Sequence, residues 1–142
     1  MKVYVDSSVV LRRMLQQPGR IENWGSWDLA VTSELTQIEV RRSLDRLRLR
    51  GKLSDADIGA MMTLLREATA PFQELRIQPA ILQRAASPFP TELGTLDAIH
   101  LATALGWQTD RGEPLTFLTH DRQLAIAAQA SGLDVGPAVV TP

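Results

Sequence analysis

Two rhythms of apolar and polar positions alternate along the chain. Val3-Tyr4-Val5, Leu29-Ala30-Val31, Phe72 to Ile77, Leu115 to Leu118 and Leu133-Asp134-Val135 are short runs with strand character, bounded by polar or turn residues. Between them the apolar spacing is helical. Val9 to Leu15 reads as a short helix stopped near Pro18-Gly19, with Asp6-Ser7-Ser8 as its capping region. A long helix runs from about Glu34 to Arg50, capped by Thr32 or Ser33 and closed by Gly51. Ser54-Asp55-Ala56-Asp57 has the layout of a capping box for a helix reaching about Glu67. Pro79 suits the first turn of a short helix that ends before Ser87, and Ser87-Pro88-Phe89-Pro90 is a rigid link. Thr95 caps a helix to about Trp107, and Asp121 opens an alanine-rich helix that Gly132 closes.

Strands alternating with helices predict an α/β fold with a central, mostly parallel sheet covered on both faces, in a single domain over residues 1–142. Trp24 and Trp27 are expected to pack the long connection, and Leu11, Met14 and Leu15 to belong to the core. Met61, Met62, Leu64 and Leu65 are expected in a core or helix interface. Composition changes this picture little: 44% hydrophobic and 22% charged residues fit a globular chain. Cysteine is absent, which excludes a disulfide framework, a thiolate zinc site and a cysteine nucleophile. No apolar run approaches the ~20 residues of a membrane span. The first residues read as a strand rather than a signal peptide, so a soluble, cytoplasmic protein is expected. The formal net charge of -1 supplies no attraction for polyanions, but Arg41, Arg42, Arg46, Arg48, Arg50 and Lys52 crowd one stretch. That stretch is either a solvated helix face or a phosphate-attracting patch.

Candidate chemistry rests on four acids. Asp6 stands where the first strand ends and Asp121 just after the fourth, where the crevice of an open parallel sheet lies. Each also has an ordinary reading as a helix N-cap. Asp97 falls in the first turn of its helix, where the dipole favours an anion. It shares the face of Leu101, Ala104 and Leu105, and a carboxylate on a core-facing stripe is costly unless its charge is compensated. Glu39 lies inside the long helix and cannot cap it; its ordinary reading is an ion pair with Arg42. Taken together, the four describe an oxygen-rich site for one or two Mg²⁺ ions, of the kind that hydrolyses phosphodiesters. Without a cation, such neighbours raise one another's pKa values.

Val3-Tyr4-Val5-Asp6-Ser7-Ser8, the helical Glu39, Leu96-Asp97-Ala98-Ile99-His100-Leu101-Ala102 and Phe117-Leu118-Thr119-His120-Asp121 together resemble the PIN-domain nucleases. More narrowly, they resemble the VapC toxins of bacterial type II toxin–antitoxin systems, in the right order and over essentially the whole chain. The resemblance implies a three-layer α/β/α PIN-like fold and an Mg²⁺- or Mn²⁺-dependent endoribonuclease. It places Asp6, Glu39, Asp97 and Asp121 as catalytic metal-site residues, with Asp6 and Asp97 as the surest ligands. Ser7 and Thr119 match small hydroxyl positions that support the carboxylates. It further implies an RNA substrate cut to a 3′-hydroxyl and a 5′-phosphate, a cognate VapB-type antitoxin, a toxin homodimer and no membrane. By analogy the early helices would meet the antitoxin.

His100 and His120 are set aside as ligands. His100 shares a face with Asp97, but a hydrogen-bonded structural or substrate-facing histidine is the expectation. With two histidines and no cysteine, a zinc hydrolase is poorly supported. There is no Gly-rich phosphate loop and no nucleophile elbow. Two other readings stay open at this point: a PIN-type nuclease of RNA processing or repair, and a non-catalytic module that binds RNA or protein through the basic stretch.

Overall fold

Strands buried on both faces lose the polar-apolar alternation of a half-exposed sheet, and the central runs Val3-Tyr4-Val5, Leu29-Ala30-Val31 and Leu115 to Leu118 do so, while the two outer runs keep polar residues. In the computed structural model, which describes residues 1–136, they form five strands: β1 (Lys2–Val5), β2 (Leu29–Ser33), β3 (Gln73–Leu75), β4 (Thr116–Leu118) and β5 (Asp134–Gly136). Residues 137–142, the end of the expected domain, lie outside the described residues. The helices are α1 (Ser7–Met14), α2 (Leu35–Leu49), α3 (Asp55–Thr69), α4 (Pro79–Ala85), α5 (Thr95–Arg111) and α6 (Arg122–Ala130). Every strand pairing is parallel, and the order is β3-β2-β1-β4-β5. The expected parallel α/β/α architecture is therefore present.

Side-chain alternation splits the core into two layers. Val3 and Val5 of β1, Ala30 of β2 and Leu118 of β4 face Val9, Val10 and Met14 of α1, Val40 and Leu44 of α2 and Leu65 of α3. Tyr4, Val31 and Phe117, from the intervening positions, face Leu101, Ala104 and Trp107 of α5 and Leu124, Ala127 and Ala128 of α6. Met14 is buried, as expected, while Leu11 and Leu15 are partly buried against the same layer. Trp24, Trp27 and Phe72 pack with ring centroids 5.3 to 6.0 Å apart, and the Trp24 indole donates to the Ala68 carbonyl at 3.2 Å. Both tryptophans thus anchor the long connection.

Several boundaries differ from expectation for local reasons. The strand expected over Phe72 to Ile77 shrinks to Gln73–Leu75 at the sheet edge. Phe72 turns into the tryptophan cluster, and the Ile77 N–H donates to Glu34 Oε1 at 2.7 Å. The helix expected to end near Trp107 runs on to Arg111, where Gly112 supplies the left-handed stop at φ 63°. Its N-cap is Gly94 rather than Thr95. Thr32 does not cap α2; its hydroxyl donates to the Val5 carbonyl at 2.6 Å and ties β2 to β1. The Ser54–Asp57 capping box forms as expected, with both reciprocal hydrogen bonds. Among the described residues, no helix is long and apolar enough to cross a membrane.

Candidate active site

From β1 the chain builds outward in both directions, through β2 and β3 on one side and β4 and β5 on the other. The strand order therefore reverses between β1 and β4, and the crevice of an open parallel sheet lies beyond the carboxyl ends at that point. Asp6 follows β1 directly, and Thr119, His120 and Asp121 follow β4. The Asp6 N–H continues the ladder by donating to the Leu118 carbonyl at 3.0 Å, which fixes where its side chain leaves the sheet.

Asp6 occupies the N-cap position of α1 but makes no side-chain cap hydrogen bond. Its oxygens serve another purpose. Oδ2 accepts from the Ser8 hydroxyl at 2.6 Å and from the Thr119 hydroxyl at 2.8 Å. The Ser7 hydroxyl lies between Asp6 Oδ1, at 3.5 Å, and Glu39 Oε2, at 3.2 Å. Asp6 is 2% exposed, so these donors are what make its burial tolerable. Thr119 in turn accepts from the Asp121 N–H at 3.0 Å, and Ser8 accepts from the His120 N–H at 3.0 Å. Ser8 is thus a residue of the site that sequence reasoning left among ordinary capping residues. Its position two residues after Asp6 was the available signal.

Glu39 does not pair with Arg42. Arg42 reaches Asp45 at 3.1 Å, and Arg48 reaches the same carboxylate at 2.8 Å. The Glu39 carboxylate instead turns to the imidazole of His100, with Oε1 2.5 Å from Nε2. His100 Nε2 is also 3.6 Å from Asp6 Oδ1, and Nδ1 is 2.7 Å from the Tyr4 hydroxyl. Burial works against a charged His100, but the hydrogen bond to Glu39 and the charges of Asp6, Glu39 and Asp97 outweigh it and lift its pKa. Burial and the same two acids Asp6 and Glu39 hold the Tyr4 phenol well above its ordinary value, so it stays neutral.

Asp97 sits half-buried in the first turn of α5, on the face that carries the buried Leu101 and Ala104. Its pKa is raised to about 6 by burial first, then by the charges of Asp6 and Asp121, with Glu39 adding and His100 opposing. Asp97 is therefore the acid that feels all of the others. Asp121 is exposed, and its cap reading holds: Oδ1 accepts from the Leu124 N–H at 2.8 Å. Ser7 and His100 join Asp6 and Glu39 directly, while Asp97 lies near enough to feel the charges of Asp6, Asp121, His100 and Glu39. Among the described residues, no three carboxylate or imidazole groups close around a single point as a finished metal cage. The donor set nonetheless suits a hard cation, because Mg²⁺ takes one or two carboxylates and keeps several waters. Burial first, and then the neighbouring acids, disfavour the charged form of Asp97, and a divalent ion relieves both.

A groove of about 330 Å³ opens beside Glu39. Ser7, Glu39, Arg42, Arg46, Ile38 and Leu96 line it, with Ile38 58% and Leu96 47% exposed. Cations of α2 and an apolar lip thus stand next to the Glu39 carboxylate.

Four likenesses bear on this arrangement. The PIN domain family matches residues 3–130. Ribonuclease VapC46 of Mycobacterium tuberculosis is 31% identical over 137 residues, which cover 94% of this chain and 95% of that protein. Two crystal structures share the fold. PAE2754 from Pyrobaculum aerophilum has a TM-score of 0.61 at 20% identity, covering 95% of this chain and 83% of that one. VapBC2 from Rickettsia felis, bound to a DNA fragment from their promoter, has a TM-score of 0.62 at 9% identity, covering 96% and 98%. With a family match over nearly the whole described length and a full-length ribonuclease relative, the chain belongs to the PIN domain family as a VapC-type member.

Proposed function

We propose that this chain is a metal-dependent endoribonuclease acting as a toxin, with Asp6, Glu39, Asp97 and Asp121 as its acidic site. The observation that carries the proposal is the state of Asp6 and Asp97. Asp6 is buried without capping and held by hydroxyls, and Asp97 beside it is raised to about 6. A buried carboxylate that caps nothing and a neighbour whose charged form is disfavoured both suit a cation.

Asp6 and Asp97 would hold Mg²⁺ or Mn²⁺, one ion or two, with Glu39 and Asp121 contributing directly or through water. A bound ion would supply Lewis-acid stabilisation of phosphate charge and a water acidic enough to act as nucleophile near neutral pH. The chain's own groups do the rest. Ser8 and Thr119 hold Asp6 Oδ2, and Ser7 spans Asp6 and Glu39, so the carboxylates keep their orientation. Arg42 and Arg46, on the groove wall beside Glu39, offer cations to RNA phosphates flanking the cut. Preference for RNA comes from binding, because hydrolysis by water does not use the 2′-hydroxyl.

The VapC relationship brings the remaining parts of the reading: a VapB-type antitoxin that neutralises the chain, a homodimer, a cytoplasmic setting and a single PIN-like domain. The product ends give the first test. Purified chain with Mn²⁺ on mixed RNA is expected to leave 5′-phosphates and 3′-hydroxyls. Products with 2′,3′-cyclic phosphates would contradict the proposal, because they require attack by the 2′-hydroxyl.

A further inference from the structure

Tyr4 and His100 are buried polar side chains that phosphodiester hydrolysis itself does not require, yet they reach the acids. Both are fully buried, one mid-strand in β1 and the other in the second turn of α5. Their rings meet edge-on at 77°. The Tyr4 oxygen is 2.7 Å from His100 Nδ1, and His100 Nε2 is 2.5 Å from Glu39 Oε1. An ionised carboxylate only accepts hydrogen bonds, so Nε2 carries the hydrogen in either protonation state of the ring. Tyr4 then sets the plane of the imidazole, and the imidazole sets the direction of Glu39.

Glu39 needs such a constraint. It is a long, flexible side chain in mid-helix, and Arg42 and Arg46 line the same groove. Left alone, it would be drawn to Arg42 one turn along, the i, i+3 pairing that helices favour. In the structure both of its oxygens are engaged by other partners, Oε1 by His100 and Oε2 by Ser7. We infer that Tyr4 and His100 are positioning residues that hold Glu39 turned toward Asp6 and away from the arginines of its own helix. The inference rests on the metal reading above and adds two residues to it.

Mn²⁺ titration calorimetry of the whole chain tests this, with circular dichroism to establish that each variant is folded. His100→Ala is expected to weaken Mn²⁺ binding about tenfold, and His100→Gln, whose amide N–H can reach Glu39, to restore most of the loss. Tyr4→Phe is expected to weaken binding about threefold, since the ring stays but its plane is freed. In a Glu39→Ala background, His100→Ala is expected to change affinity by less than roughly twofold, because the side chain that it positions is gone. Equal losses in both backgrounds would overturn the inference, since a merely structural histidine would behave in that way. If His100→Ala does not fold, Tyr4→Phe in the two backgrounds makes the same comparison.

A metal-free readout separates the inference from the reading beneath it. Imidazole ¹⁵N NMR is expected to show an exchange-protected proton on Nε2 that shifts in Glu39→Gln and in Tyr4→Phe. An unprotonated Nε2, or a signal indifferent to Glu39→Gln, would overturn the relay itself. A native chain that shows the signal but binds no Mn²⁺ would overturn the metal reading, and with it the purpose assigned to the relay.

Discussion

Asp97 and Asp121 both begin helices, yet their surroundings give them different chemistry. Asp121 is exposed and caps α6 through the Leu124 N–H. Asp97 is half-buried, and its carboxyl is raised from 3.8 to about 6 by burial and by the charges of Asp6 and Asp121. The sign of the consequence follows from proton linkage. Between those two values the folded, metal-free chain holds a proton that the unfolded chain has released, so stability falls as pH rises through 6. His100, also raised, acts in the same direction as it loses its proton. In EDTA, melting temperature is therefore expected to drop from pH 5 to pH 8, and less so in Asp97→Asn. At pH 8 that variant is expected to be more stable than the native chain by about 1 kcal/mol, after discounting for solvent screening of a half-exposed group. Parallel melting curves for the two proteins would refute the charge-crowding account. Conversely, Mn²⁺ affinity of the native chain is expected to rise with pH through 6, as the ion replaces the proton.

Among the elements, the helix start that depends most on its local sequence is that of α3, where Ser54 and Asp57 exchange two hydrogen bonds. Ser54→Ala is expected to lower stability by about 1 kcal/mol in urea unfolding without touching the site. That box was legible because its two partners are three residues apart. So were the central strands β1, β2 and β4, whose burial leaves apolar runs, whereas the edge strands β3 and β5 carry exposed polar residues. What local sequence did not reveal was decided by distant contacts. Thr32 abandons a capping role for the Val5 carbonyl, 27 residues away. Phe72 leaves its strand for tryptophans on the long connection. Glu39 passes over Arg42, its helical neighbour, for His100, 61 residues away. Helical spacing alone favoured the arginine, and only the packing of α5 against β1 brings the imidazole within reach.

At the scale of the molecule, sheet topology explains why the acids meet. A strand order that reverses between β1 and β4 brings the residues after both strands to one crevice, and α5 adds Asp97 across it. Asp6 and Asp121 could be assigned to that edge from sequence, because each follows a strand. The hydroxyl of Ser8 could not, since a serine near a helix start looks the same whether it caps or braces. The groove along α2 makes a separate prediction. Charge reversal at Arg46, which lines the groove beside Glu39, is expected to raise KM for RNA several-fold with little change in kcat. It is also expected to flatten the salt dependence of binding by about one phosphate contact. An equal fall in kcat would instead place Arg46 at the reacting phosphate. The most direct measurement of the central claim is RNA cleavage by the native chain and Asp97→Asn, side by side, in Mg²⁺ or Mn²⁺ and again with EDTA. The account predicts cleavage by the native chain alone, abolished by EDTA and reduced at least about a hundredfold in Asp97→Asn, which loses a charged ligand while keeping its shape. Equal cleavage by both proteins, or cleavage that persists in EDTA, would contradict it.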